Sequence, residues 1–251
     1  PKVVAAVQAV LADGADALRL YPDPDASALK QAIATQQHVD VSQVFVGNGS
    51  DEVLAHIFKA FFLQDQPILS PDISYSFYPV YSQFFAINTK TVPLNDDFEV
   101  DVADYQQPNG GIIIANPNAP TSVALSLEKI EQLLQGNPDR VVVIDEAYVD
   151  FGAASAVTLV NKYENLVVCQ TTSKSRSLAG LRVGFAIAQP HLIAALEAVK
   201  NSFNSYPIDR FAIAAAVASF EDQAYFAEHC QKVIDCREQL VADLTEIGFK
   251  V

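Results

Sequence analysis

The chain has 251 residues, half of them hydrophobic and 18% charged, which allows one large domain or two smaller ones with a substantial core. Sixteen cations against thirty acids leave a net charge of −14, which argues against a nucleic-acid partner and makes any local Lys/Arg cluster more informative. No uninterrupted apolar run approaches the ~20 residues of a membrane span, and the start is not signal-like.

Cys169, Cys230 and Cys236 form no CxxC pair and no metal spacing, so they read as reduced thiols in a cytoplasmic protein, the last two as half-buried side chains of one helix. The chain contains no Met and opens on Pro1, and its last residues, GFKV, resemble the start of a strand. It reads as a piece of a longer protein.

In chain order, KVVAAVQAVLA (residues 2–12) carries a helical pattern that LYPDPDAS breaks with two prolines. ALKQAIATQQH resumes a helix. QVFVGNGS is a short strand running into a Gly/Asn turn, and SDEVLAHIFKAFF follows as a helix with Ser50 as expected N-cap and Asp51 and Glu52 in its first turn. Then come a strand at PILS, an aromatic helix at SFYPVYSQFF, a strand at GIIIANP and a helix at SLEKIEQLL. RVVVIDEAY, NLVVCQ and LRVGFAIA complete the strands.

Short, wholly apolar strands alternating with helices predict an α/β fold, a mostly parallel sheet covered on both faces. Such sheets bind ligands at the carboxyl ends of their strands. The polar strand ends are residues 47–50, 116–121, 145–148 and 171–174, which should converge on one rim. From about Tyr206 the pattern changes to long helices without strands. Residues 1–206 therefore read as a large domain, and 207–251 as connecting helices and the beginning of a smaller one.

Three segments carry chemistry. GNGSDE offers backbone N–H groups at a helix start, an anion site, although the same residues also make an ordinary βα turn. IDEAY puts Asp145 just past a buried strand, where a carboxylate needs a cation or donor; a helix cap or a salt bridge would serve equally. TTSKSRSLAGLR puts Lys174 at a strand end, where burial would make it nucleophilic, and supplies the Ser173 hydroxyl and the Arg182 guanidinium that a phosphate needs. Alone, that stretch is equally a solvated basic loop.

Together these segments resemble fold-type I aminotransferases, which use pyridoxal 5'-phosphate (PLP), and within them most closely the histidinol-phosphate aminotransferases. The resemblance is carried by YPDPD, VGNGSDEVL, PDISYSFY, NPNAPTS, DEAYVDF and SKSRSLAGLRVG, in that order and across essentially the whole chain. It implies that Lys174 anchors PLP covalently and moves the proton of the 1,3-shift. It implies that Asp145 pairs with the ring nitrogen, that Tyr148 donates to the phenolic oxygen, with a weaker claim for Asn118, and that Tyr75 stacks on the ring. The phosphate would take backbone donors at Ser50 and Asp51, the Ser173 hydroxyl and Arg182. Tyr21 would reach the phosphate of a neighbouring subunit, which implies a homodimer.

The resemblance further implies transamination between L-histidinol phosphate and 2-oxoglutarate in histidine biosynthesis. An aromatic-amino-acid aminotransferase and a threonine-phosphate decarboxylase share the same machinery, and a non-catalytic PLP-binding dimerisation module is the reading from another class. Three positions depart from the family pattern: Ala119 stands where the second Asn of NPNNPTG is usual, Ser122 replaces a glycine, and Arg176 replaces an aromatic or small residue. Arg176 reads either as a surface cation or as a contact to cofactor or substrate phosphate. The family's N-terminal Asn-Glu-Asn-Pro segment and C-terminal small domain have no counterpart in the sequence as given.

Overall fold

The computed structural model describes residues 2–12 and 14–251. Seven strands form one sheet: β1 (Val44–Asn48), β2 (Ile68–Pro71), β3 (Thr89–Val92), β4 (Ile112–Ala115), β5 (Val142–Asp145), β6 (Leu166–Thr171) and β7 (Val183–Ala188). Their order is β1-β7-β6-β5-β4-β2-β3. All are mutually parallel except β7, which runs against both β6 and β1. The expected mostly parallel sheet is present, and its parallel strands end on one rim.

The described helices are α1 (Lys2–Ala12), α2 (Asp16–Arg19), α3 (Ser27–Gln37), α4 (Gly49–Phe61), α5 (Tyr78–Phe85), α6 (Leu127–Gly136), α7 (Pro190–Phe203), α8 (Arg210–Phe220) and α9 (Gln223–Glu246). They cover the sheet in two layers. Val142 and Ile144 of β5 point into a core with Leu29 and Ile33 of α3, Ile130 and Leu133 of α6 and Ala212 and Phe220 of α8. Val143 points the other way, into a core with Ile57 and Phe58 of α4, Tyr78 of α5 and Leu196 of α7. Because neighbouring strand residues alternate faces, both sides of the central strands must be apolar. That requirement is the physical origin of runs such as RVVVID.

The structure corrects several local expectations. Asn48, not Ser50, precedes the first turn of α4; Ser50 lies inside the helix, beside Asp51 and Glu52. The Glu52 carboxylate reaches back to accept from the Asn48 N–H (2.5 Å), so it performs the capping. Residues 248–251 are turn and coil rather than a strand start. Cys230 and Cys236 do share α9, the first buried and the second exposed, and all three cysteines are free.

Gly184 is a point of close backbone approach. A Cβ built there would lie 2.3 Å from the Ser50 nitrogen and 2.4 Å from the Gly49 carbonyl carbon, so β7 passes directly beneath the amino end of α4. Both obstacles are backbone and neither can rotate away. Gly184→Ala is therefore expected to cost about 3 kcal/mol, the upper end of overpacking penalties, measured as a fall in unfolding free energy by urea titration.

Candidate active site

The rim gathers one open cleft. Ser50, Asp51, Tyr75, Asp145, Tyr148, Thr171, Ser173, Lys174 and Arg182 line it, with Ala115, Pro117, Ala119 and Leu54 supplying apolar wall. Its volume of about 150 Å³ is roughly tenfold what one water occupies, so the cleft suits a ring-sized ligand. The residues come from α4, the segment between β2 and α5, the ends of β4, β5 and β6 with the loops that follow them, and the turn before β7.

Asp145 closes β5 and is 95% buried, its relative exposure being 5%. The Tyr78 hydroxyl donates to its Oδ2 (2.8 Å), while its Oδ1 is buried without a partner. Burial pushes the carboxyl up to about 6, against the pull of the Tyr78 hydroxyl and, more weakly, of the Ala147 N–H, which lies too far or too poorly aligned to count as a hydrogen bond. A buried carboxylate oxygen facing a cleft with no donor is complementary to a cationic N–H on a ligand.

Glu146, the next residue, turns to the opposite layer. It accepts from the Ser155 hydroxyl (2.7 Å), the Ala156 N–H (2.6 Å) and the Gln170 amide (2.8 Å). Burial still raises it to about 7. Neither Tyr78 nor Glu146 was anticipated from sequence. The signal for Tyr78 was the aromatic run SYSFY, which brings a hydroxyl to the face of the sheet that carries Asp145.

At the other end of the cleft, the amino end of α4 meets Arg182. Gly49 has φ +82°, and a Cβ there would lie 2.5 Å from the Arg182 Nη2, so the guanidinium rests against the bare glycine. Arg182 pairs with the Asp51 carboxylate at 3.2 Å, both side chains about half exposed. An exposed pair of this kind is weak and yields readily to a doubly charged anion. Thr171 donates to the Ser173 hydroxyl (3.0 Å) on the same side. Orphan helix N–H groups, a hydroxyl and a planar cation together form an anion site.

The Lys174 Nζ lies 5.1 Å from the centre of the Tyr148 ring. Tyr75 spans the cleft and donates to Asp51 Oδ1 (3.1 Å), its hydroxyl pushed up to about 12 by burial and by the Asp51 charge.

Three sequence candidates lie outside the cleft. Asn118 is buried in its own loop: its amide donates to the Ile73 carbonyl (2.9 Å) and Thr121 Oγ1 (2.9 Å), and its oxygen accepts from Ser74 (2.8 Å). Ala119 faces the cleft in its place. Tyr21 is 78% exposed, stacked on Tyr206 at 4.7 Å. Arg176 is neither a surface cation nor a cleft residue; its guanidinium lies between Phe220 and Phe226.

A family model described as aminotransferase class I and II matches residues 1–251. The chain belongs to the class I and II aminotransferase family. A histidinol-phosphate aminotransferase of Acinetobacter baumannii (strain AB307-0294) is 84% identical over 251 residues, all of this chain and 70% of that protein. A second relative, histidinol-phosphate aminotransferase 2 of Dechloromonas aromatica (strain RCB), is 62% identical over 252 residues, spanning all of this chain and 71% of its own length. The crystal structure of histidinol-phosphate aminotransferase from Sinorhizobium meliloti in complex with pyridoxal-5'-phosphate superposes with a TM-score of 0.86 at 25% identity, covering 99% of this chain and 68% of that one.

The Asp145 carboxyl gives a stability test. Its folded pKa of about 6 lies above the usual 3.8, so ionisation costs stability; the penalty is absent below about pH 4 and fully present above about pH 7. Asp145→Asn is expected to stabilise the ligand-free protein at pH 7.5 by on the order of 3 kcal/mol at most. Chemical denaturation at a series of pH values checks this: the gain over wild type should shrink towards zero as pH falls to 4.

Proposed function

We infer that this protein is a PLP-dependent aminotransferase that converts L-histidinol phosphate and 2-oxoglutarate to imidazole-acetol phosphate and L-glutamate, a step of histidine biosynthesis. The observation that carries the chemistry is the partnerless, buried Oδ1 of Asp145, in one cleft with Lys174 and with the anion site at α4. The likeness at 84% identity over the whole chain carries the substrate.

The residues present fit the cofactor. The orphaned carboxylate oxygen matches a pyridinium N–H, and the bare Gly49 beneath Arg182 leaves the α4 N–H groups open to a phosphate. In this reading Asp145 would hold the ring nitrogen, Tyr75 would cover the ring, and Ser50, Asp51, Ser173 and Arg182 would hold the phosphate. Lys174 would be the covalent anchor. PLP, when bound, supplies an electron-withdrawing ring that stabilises the charge left on a substrate carbon when its proton departs.

The chain's own residues then divide the work. Asp145, ionised, would hold the ring nitrogen as a cationic N–H. Lys174 would be the residue whose Nζ takes the substrate Cα proton and returns it in the 1,3-shift. Tyr148 offers a hydroxyl on the wall that Lys174 faces.

The reading also takes the protein to act in the cytoplasm as a homodimer; among the described residues no helix is long and apolar enough to cross a membrane. The dimer is supported by Tyr21, which is 78% exposed and outside its own cleft, and by Phe84 and Phe203, which are 79% and 81% exposed beside a groove between α4, α5 and α7.

The test is amino transfer measured with histidinol phosphate, phenylalanine and threonine phosphate in parallel. Histidinol phosphate should be preferred by at least about a hundredfold in kcat/KM, a difference of ~3 kcal/mol in transition-state binding. Lys174→Ala should abolish turnover while PLP still binds noncovalently. A wild-type protein that binds PLP but transfers nothing from histidinol phosphate would sink the assignment.

A further inference from the structure

Arg176 stands two residues beyond Lys174, and the cleft does not account for it. Its guanidinium lies 3.9 Å from the centre of the Phe220 ring, at the end of α8, and 4.0 Å from that of Phe226, in the first turn of α9. Covered on both faces, it can bond only in its own plane. There Nη1 donates to the Ser219 carbonyl (2.8 Å) and Nη2 to the Gln36 side-chain oxygen. Ser219 and Gln36 occupy the last turns of α8 and α3, where exposed carbonyl ends favour a cation. Burial lowers the guanidinium to about 10, opposed by the charge of Asp150, and it stays protonated at neutral pH.

The backbone that this clamp holds is a tight turn. The Ser177 N–H donates to the Lys174 carbonyl (2.9 Å) and the Leu178 N–H to the Thr172 carbonyl (3.0 Å). Ser175 donates to the Asp150 carboxylate (2.5 Å). Ser177 itself has φ 54°, a left-handed conformation that a serine keeps only where its surroundings over-determine it. Lys174 is exposed, and the Tyr148 ring lies 5.1 Å from its Nζ; the turn therefore fixes its Cα and the direction in which its side chain leaves the backbone.

We propose that Arg176 is a positioning residue for Lys174: by clamping the turn at residues 174–178 to the corner between α8 and α9, it fixes where the Lys174 amine enters the cleft. This makes the placement of the lysine depend on the seating of α9. The proposal rests on Lys174 being the cofactor-bearing lysine.

Three variants test it. Arg176→Lys keeps the charge but loses the planar fork, Arg176→Met loses both, and Phe226→Leu removes one face of the stack from α9. In the cofactor-free protein, amide hydrogen exchange at residues 174–178 should quicken roughly tenfold in all three, with β6 and β7 unchanged. In the PLP-loaded protein, the pH midpoint of the cofactor absorbance should move in Arg176→Lys and Arg176→Met alike. Turnover should fall about tenfold with both KM values nearly constant, the signature of a misplaced reacting group.

Exchange that rises across the whole sheet, with midpoint and turnover per bound cofactor unchanged, would make Arg176 a general stabiliser and overturn the proposal. A midpoint shift confined to Arg176→Met would assign the effect to charge and overturn it equally. Should Arg176→Met fail to fold, the other two variants decide. The exchange measurement needs no cofactor, so its failure is distinct from failure of the Lys174 assignment, which Lys174→Ala tests.

Discussion

The register of the central strands determines which residues can meet. Ala115 pairs with Asp145 and Asp145 with Cys169, while two residues on Thr171 pairs with Gly184, which pairs in turn with Gly47. Side chains in one such row share a face of the sheet, because the strand repeat is two residues. A slip of β5 by one position would send Asp145 into the layer of α3 and α6 and deliver Glu146 to the cleft. Both carboxylates would then lose their partners at once: Tyr78 on one side, Ser155, Ala156 and Gln170 on the other. The polar contacts therefore enforce the same register as the apolar ones.

The two carboxylates also show why a raised pKa does not by itself mark a functional group. Glu146 is pushed higher than Asp145, to about 7 against about 6, although three donors serve it. Burial is the main cause in both, and each has a carboxylate nearby that adds to it, Asp51 for Asp145 and Asp150 for Glu146. What separates the pair is satisfaction and place. Glu146 is completed by the protein in a closed layer, whereas Asp145 keeps one oxygen without a donor at a cleft. An incomplete buried carboxylate is unfavourable in the empty protein and is the kind of local cost that persists at binding sites.

Much of this was legible in the sequence because parallel strands buried on both faces have no room for polar residues until they end. The polar residues at those ends therefore identify the rim directly. Less legible was β3, whose residues Thr89, Lys90 and Thr91 are exposed; as an edge strand it has one partner and carries no apolar run. The capping of α4 was misplaced by two residues because Glu52 reaches back over more than a turn, which the residue types alone do not reveal. Tyr78 and Arg176 were opaque for a common reason: their partners, Asp145 and the Phe220–Phe226 pair, are distant in sequence and adjacent only after the layers assemble.

Ala119 alters the balance of the cleft in a way that the neighbouring loop explains. Where an asparagine would present an amide to the ligand, this chain presents a methyl group, and the adjacent Asn118 cannot substitute. Its donors and acceptor are committed to Ile73, Thr121 and Ser74, and turning it outward would break three bonds while leaving a buried carbonyl unserved. The hydroxyl donor that remains on the wall near Lys174 is Tyr148, whose ring the lysine already faces. One aromatic side chain thus bounds the space of the amine and, in the proposed reading, would also supply the donor. The turn that fixes Lys174 and the short helical turn after Tyr148 are joined through the Ser175–Asp150 bond. That side-chain hydrogen bond ties the two turns to each other, in addition to the clamp that Arg176 makes on the corner between α8 and α9.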